Sequence, residues 1–229
     1  MKKIILYAIV AFFTFSFTSC EKELDLWNSE TLDYSGRFVF QLMSEDMQDV
    51  YMPYDGSEIQ IYNTSNNVAN EMWIDDISHF IPLKSKFSFT GTSDSFKSSS
   101  LEYDKLGDNI YAVNVVPTSA PTAAGQTTTI NKFSATSTNY LNGAILEGKI
   151  IPNAATTPGG NKADSLYLKI VLHTGTATYT SYAVPVSLRK DPEKEEFAWK
   201  FQSSTVDPTR DETYVIGGYR YTGMPEDQF

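Results

Sequence analysis

Cysteine is almost missing: Cys20 is the only one in 229 residues. A disulfide within the chain, a thiolate metal cluster and a paired redox site all need a partner, so each is excluded. Histidine is scarce too. With His79 and His173 alone, the chain lacks the nitrogen and sulfur ligands of a typical transition-metal site, and no metal or cofactor is expected. No Gly-x-Ser-x-Gly nucleophile elbow occurs. Basic residues are outnumbered, 18 Lys and Arg against 28 Asp and Glu. A negative surface repels phosphate backbones, so nucleic acid is not an expected partner. Beyond the first twenty residues no apolar stretch is long enough to span a bilayer as a helix.

The one long apolar run, Ile4–Phe17, follows the positive start Met1-Lys2-Lys3 and is interrupted only by Thr14 and Ser16. It suits a signal-peptide core and is short for a membrane span. Phe17-Thr18-Ser19-Cys20 closes it and resembles the lipobox of bacterial lipoproteins. That resemblance implies cleavage before Cys20, diacylation of its sulfur and acylation of its new amino group. Residues 1–19 then act as an address, residues 20–30 as acylated cysteine and tether, and residues 31–229 as a single domain. Losing Lys2 and Lys3 with the signal takes the formal charge from −10 to −12. Two or more acyl chains hold firmly where one binds reversibly, so the expected partner is a membrane. Glu21-Lys22-Glu23-Leu24-Asp25 resembles the export signals of some Gram-negative lipoproteins, or is an ordinary solvated linker. The expected location is the outer membrane, lipid-anchored, at its periplasmic face or the cell surface.

Alternation dominates the rest. In Ser165–His173, Leu166, Leu168, Ile170 and Leu172 share one face while Tyr167, Lys169 and His173 take the other. This predicts a half-buried strand with His173 exposed at its end. Similar runs cover Gly36–Met43, Glu58–Asn63, Glu71–Asp75, Leu83–Thr90, Phe96–Tyr103, Asn109–Val116, Asn142–Ile151, Thr178–Leu188 and Tyr214–Arg220. Turn residues such as Pro53-Tyr54-Asp55-Gly56 and Ser65-Asn66-Asn67 separate many of them. Asp191–Glu196 reads as a helix start or as a hairpin loop. Pro117–Thr129 and Pro152–Asp164 read as long polar loops, either mobile tips or binding-site rims. Strands this frequent without a long amphipathic helix predict an all-β antiparallel sandwich or barrel.

Catalytic candidates are few. A serine nucleophile needs a base within reach, and the bases on offer are His79 and His173. Asp75 and Asp76 are adjacent, so on a strand they point to opposite faces. Lys84 and Lys86 share a face expected to be solvated, and Arg220 is expected either to close a core ion pair or to meet a ligand.

Gly36-Arg37-Phe38, the stretch Ile61-Tyr62-Asn63-Thr64, Trp73-Ile74-Asp75-Asp76 and the closing Gly218-Tyr219-Arg220-Tyr221-Thr222-Gly223 resemble the lipid-binding putative hydrolase family of Gram-negative lipoproteins. The resemblance covers nearly the whole mature chain and implies a calycin-like, closed antiparallel barrel of about eight or more strands, as in lipocalins. It carries no catalytic residues across. A barrel of that size can enclose one small ligand, and the expected function is non-enzymatic sequestration of a small hydrophobic or amphipathic, lipid-like ligand. Arg37, Trp73, Tyr219, Arg220 and Tyr221 are the candidate ligand contacts. The alternatives are a surface module contacting glycans or partner proteins, through Trp27, Trp73 or Trp199, and a hydrolase as the family description says.

Overall fold

The computed structural model describes residues 29–77, 83–99, 117–132 and 140–227. Twelve strands run through them: β1 Gly36–Ser44, β2 Val50–Met52, β3 Glu58–Asn63, β4 Glu71–Asp76, β5 Lys84–Thr92, β6 Ser95–Ser98, β7 Thr127–Lys132, β8 Asn142–Thr156, β9 Lys162–His173, β10 Gly175–Ala183, β11 Phe197–Val206 and β12 Glu212–Arg220. Eight pair in the ring β12-β9-β8-β6-β5-β4-β3-β1, which closes when β1 pairs with β12 from Phe38↔Arg220 to Ser44↔Tyr214. Every pairing is antiparallel. Closure leaves the ring with no open edge, and the architecture is the expected calycin-like barrel. β2 adds to the edge of β1 beyond β3.

Period-two patterning sets the inside of the barrel. Phe38, Phe40 and Leu42 of β1, Ile59 and Ile61 of β3, and Met72 and Ile74 of β4 are all essentially inaccessible. They join Phe87, Phe89, Phe96, Ile145, Ile150, Ile216 and the four alternating apolar residues of β9 in one cluster. One end is plugged by the turn before β1. There Tyr34 meets Phe89 and Phe96 edge-on at 4.7 and 5.3 Å and its hydroxyl donates to the Gly91 carbonyl.

At the opposite rim the wall continues as a second sheet of order β11-β10-β7. β9 passes into β10 through Thr174 alone, and β11 returns to β12 through a short turn at Pro208–Arg210. Gly175 makes the bend. Its φ of +148° suits glycine, and a Cβ there would sit 2.1 Å from the Thr205 carbonyl oxygen. Ala177 and Tyr179 of the second sheet belong to the barrel's own apolar cluster, with Trp199 and Phe201 packed against it.

Several expectations need correction. His173 is 2% exposed, not exposed: Asp211, on the returning chain, covers the outer side of β9 at its end. Pro152–Asp164 is mostly strand, because β8 runs to Thr156 and β9 starts at Lys162, with register shifts absorbing the irregular residues. Pro117–Thr129 ends inside β7. The run Thr178–Leu188 leaves the sheet after Ala183, where Pro185 offers no ladder donor and Val186–Leu188 form a 3-10 turn. Of the two readings of Asp191–Glu196, the loop holds: the segment connects β10 to β11. The expected strand Phe96–Tyr103 is seen to Ser98, its remainder from residue 100 lying outside the described residues, as does Asn109–Val116.

Candidate functional site

The first pair of glycine and aromatic in β1 builds the plugged end. Gly36 and Phe38 face inward opposite the end of β12, and Arg220 lies over the Phe38 ring at 4.9 Å. Its Nε donates to Asp164 at 2.7 Å and its Nη1 donates to the Ser35 carbonyl at 2.5 Å. A Cβ on residue 36 would fall 2.0 Å from that Nη1, so glycine is required for the arginine to reach across. Arg220 thus ties β12, β9 and the plugging turn together.

The other four candidate contacts face outward. Tyr219 is opposite Val39 and packs with it and Ala163 in a small outer cluster, with Tyr54 tilted over it at 5.7 Å. Burial of the Tyr219 phenol, with the Asp227 and Tyr54 charges, pushes its pKa up. Arg37 is half exposed, bonds Glu58 through Nε at 2.7 Å and covers the Tyr221 ring at 4.8 Å. Trp73 is the direct cross-strand partner of Tyr62, and both are half-buried on the outer wall. The five candidate contacts therefore split between two faces. Arg37, Trp73 and Tyr221 share the outer wall near the plugged end, while Arg220 points into the barrel.

Sequence reasoning passed over the residues between them. An open cleft of roughly 350 Å³ lies against Ser35, Gly36, Arg37, Gln60, Ile61 and Tyr62. The outward positions of β3 signalled it: Glu58, Gln60 and Tyr62 alternate with the buried Ile59 and Ile61. On the neighbouring strands Lys84 meets Asp75 at 2.6 Å and Lys86 meets Glu71 at 3.2 Å, both on the outer face. Asp75 also accepts the Tyr62 hydroxyl at 3.2 Å, and Asp76 turns to the inside, 1% exposed.

The far rim carries the polar groups of the interior. Asp76, Ser85 and Ser98 face inward there and are buried. Tyr140 is 1% exposed, and its hydroxyl accepts the Lys84 backbone N–H at 3.3 Å. Burial pushes the Tyr140 phenol up to about 12. On the outer side of the same rim, His173 Nδ1 lies 2.7 Å from Asp211 Oδ2 and Asp211 Oδ1 accepts the Thr174 N–H. This is an acid beside a histidine, as a hydrolase would need, but both side chains are under 10% exposed, inside the joint between the sheets rather than in a cleft. His79, Trp27 and Cys20 lie outside the described residues. Trp199 is half-buried, its Nε1 donating to the Ser119 carbonyl at 2.6 Å. Among the described residues no three His, Cys, Asp or Glu side chains gather as a metal site.

A second polar centre was not anticipated. Asp227, after the last strand, is 3% exposed and receives the Thr157 hydroxyl, the Thr222 hydroxyl, the Gly159 N–H and the Asn161 amide. It pins the β8–β9 hairpin tip, Thr157-Pro158-Gly159-Gly160, to the C-terminal segment.

A closed, apolar-walled antiparallel barrel with one plugged end is the architecture of calycin-like binding proteins. The chain belongs to the family described as lipid-binding putative hydrolase, whose profile matches residues 23–225. That membership and the barrel together support a lipid-binding role. The sequence finds no match among curated proteins.

Proposed function

We propose that the protein is a lipid-anchored, non-enzymatic binding protein that sequesters a small hydrophobic or amphipathic ligand. The observation that carries this reading is the closed barrel of a lipid-binding family with its inward wall built from Phe, Ile, Leu and Met. Burial against such a wall contributes roughly 25 cal/mol per Å² of apolar surface, so an acyl chain of modest length gains useful affinity without any charged contact. Entry at the far rim is favoured, since Tyr34, Arg220 and Ser35 close the opposite end. The polar groups that would meet a head group there are Asp76, Ser85 and Tyr140: Lys84 and Lys86 face outward and are paired, and Arg220 is at the plugged end.

Anchoring through Cys20 would hold the barrel at a membrane, where such ligands partition. In this reading the hydrolase half of the family description does not apply, because the one acid–histidine pair among the described residues is enclosed in the joint. Titration of the mature chain carrying Cys20→Ser with a fluorescent sixteen-carbon fatty acid tests the binding step. Saturable binding at one site per chain, displaced by unlabelled lipid, is expected. No uptake of that probe, or of phospholipid, would count against the reading.

A further inference from the structure

We infer that the outer wall of β1, β3 and β4 carries a second binding site, separate from the barrel interior, that takes a saccharide. The cleft against Arg37, Gln60 and Tyr62 has the roughly 350 Å³ of a small-molecule site at the lower end of the usual range. Three features of the cleft and of the wall beside it fit a sugar ring. The first is the aromatic surface: Tyr62 lines the cleft and its direct cross-strand partner Trp73 lies beside it on the next strand, both half-buried with neither ring facing the core. A pyranose has one face of C–H groups, and aromatic side chains offer large, rigid area at little entropic cost.

The second is a pair of groups whose hydrogen-bonding capacity is not used among the described residues. Neither the Gln60 amide nor the Trp73 indole N–H makes a hydrogen bond among the described residues, although each flanks Tyr62 on the same face. An amide offers both donors and an acceptor to a ring hydroxyl.

The third is a fixed cation. Glu58 bonds one edge of the Arg37 guanidinium and the Tyr221 ring supports its plane, so its orientation is set before a ligand arrives. Glu71, Asp75, Lys84 and Lys86 continue the wall with alternating sign. Mixed donors and acceptors around an aromatic floor match vicinal hydroxyls. They are a poor match to an acyl chain, which would strip water from these ion pairs and offer no hydrogen bond in return, and a polyanion would meet Glu58, Glu71 and Asp75.

The Cys20→Ser mature chain, with the barrel left as purified, is mixed with soluble tetrasaccharides of glucose, mannose, xylose and N-acetylglucosamine. Saturation-transfer NMR then reads contact at the ring protons. At least one of the four is expected to show contact, with a dissociation constant in the micromolar to millimolar range by titration. Gln60→Ala and Trp73→Ala are each expected to weaken that binding about tenfold or more while the unfolding midpoint of Gln60→Ala stays unchanged. Adding a saturating fatty acid is expected to leave sugar binding intact, which separates this site from the barrel interior. Absence of contact with all four sugars overturns the inference. Binding that survives both substitutions, or that the fatty acid abolishes, overturns it equally.

Discussion

At the scale of single residues, the strongest dependence is between Gly36 and Arg220. Glycine at 36 exists because the guanidinium occupies the space its side chain would take. Gly36→Ala therefore expels Arg220 from Asp164 and Ser35. A hydrogen bond to a charged group contributes about 1.5–3 kcal/mol, and partial exposure of the pair puts the expected loss at the lower end. Urea unfolding of Gly36→Ala, Arg220→Ala and the double variant checks this: the two effects are expected to be strongly sub-additive. Full additivity would show that the two residues act separately. Much of this was unreadable from sequence. Alternation correctly sent Asp75 and Asp76 to opposite faces and Lys84 with Lys86 to the outside, but the partner of Arg220 is 56 positions away. His173 went wrong for the same reason. A period-two pattern says which side of a strand a residue is on, not what later packs over it.

Asp227 supplies a pH dependence at the same scale. Burial works to raise its pKa, but hydrogen bonds from Thr157, Thr222, Asn161 and Gly159 outweigh that and hold it below the usual carboxylate range. A carboxylate depressed in the folded state stabilises above its unfolded pKa, and that contribution is lost as pH falls through the folded value. The stability difference between the native chain and Asp227→Asn is thus expected to be largest near neutrality and to shrink below about pH 4. Chemical unfolding at pH 7, 5 and 3.5 reads it. A difference independent of pH would remove the carboxylate from the explanation.

Among the elements, the joint between the barrel and the second sheet is the place where one backbone turn decides the most. Thr174 is clasped from both directions, its N–H by Asp211 and its hydroxyl by the Asp207 carbonyl, while its own carbonyl accepts the Asp207 N–H. His173→Ala removes the ring that Asp211 holds and leaves a buried carboxylate with one partner fewer. Hydrogen exchange is expected to accelerate first in β10 and β11, with the amides of β1, β3 and β9 nearly unchanged. Uniform acceleration would mean the joint is no separate unit. The second sheet itself was poorly readable. β7 is half threonine and looks like loop. In the barrel, β8 carries a proline, an asparagine at φ +55° and two register shifts against β9 that break its alternation. The barrel strands with clean alternation, β1, β3, β4, β5 and β12, were found nearly to the residue.

For the whole molecule, an apolar wall was foreseeable from the half-buried strands, whereas closure was foreseeable only through the family resemblance, because alternation alone fits a sandwich as well as a barrel. The plug was not foreseeable, because Tyr34 comes from a turn with no periodic signature. Membrane attachment is argued from the N-terminus alone. Labelled palmitate is expected to enter the native chain and not Cys20→Ser, which should move to the soluble fraction; equal labelling of both would refute attachment at Cys20. The most direct measurement of the central claim is native mass spectrometry of the protein purified from its host without added lipid. A discrete adduct of a few hundred daltons, lost on denaturation and regained on exposure to a lipid extract, is the expected result. A bare mass that stays bare after exposure to that extract would contradict a barrel that carries lipid.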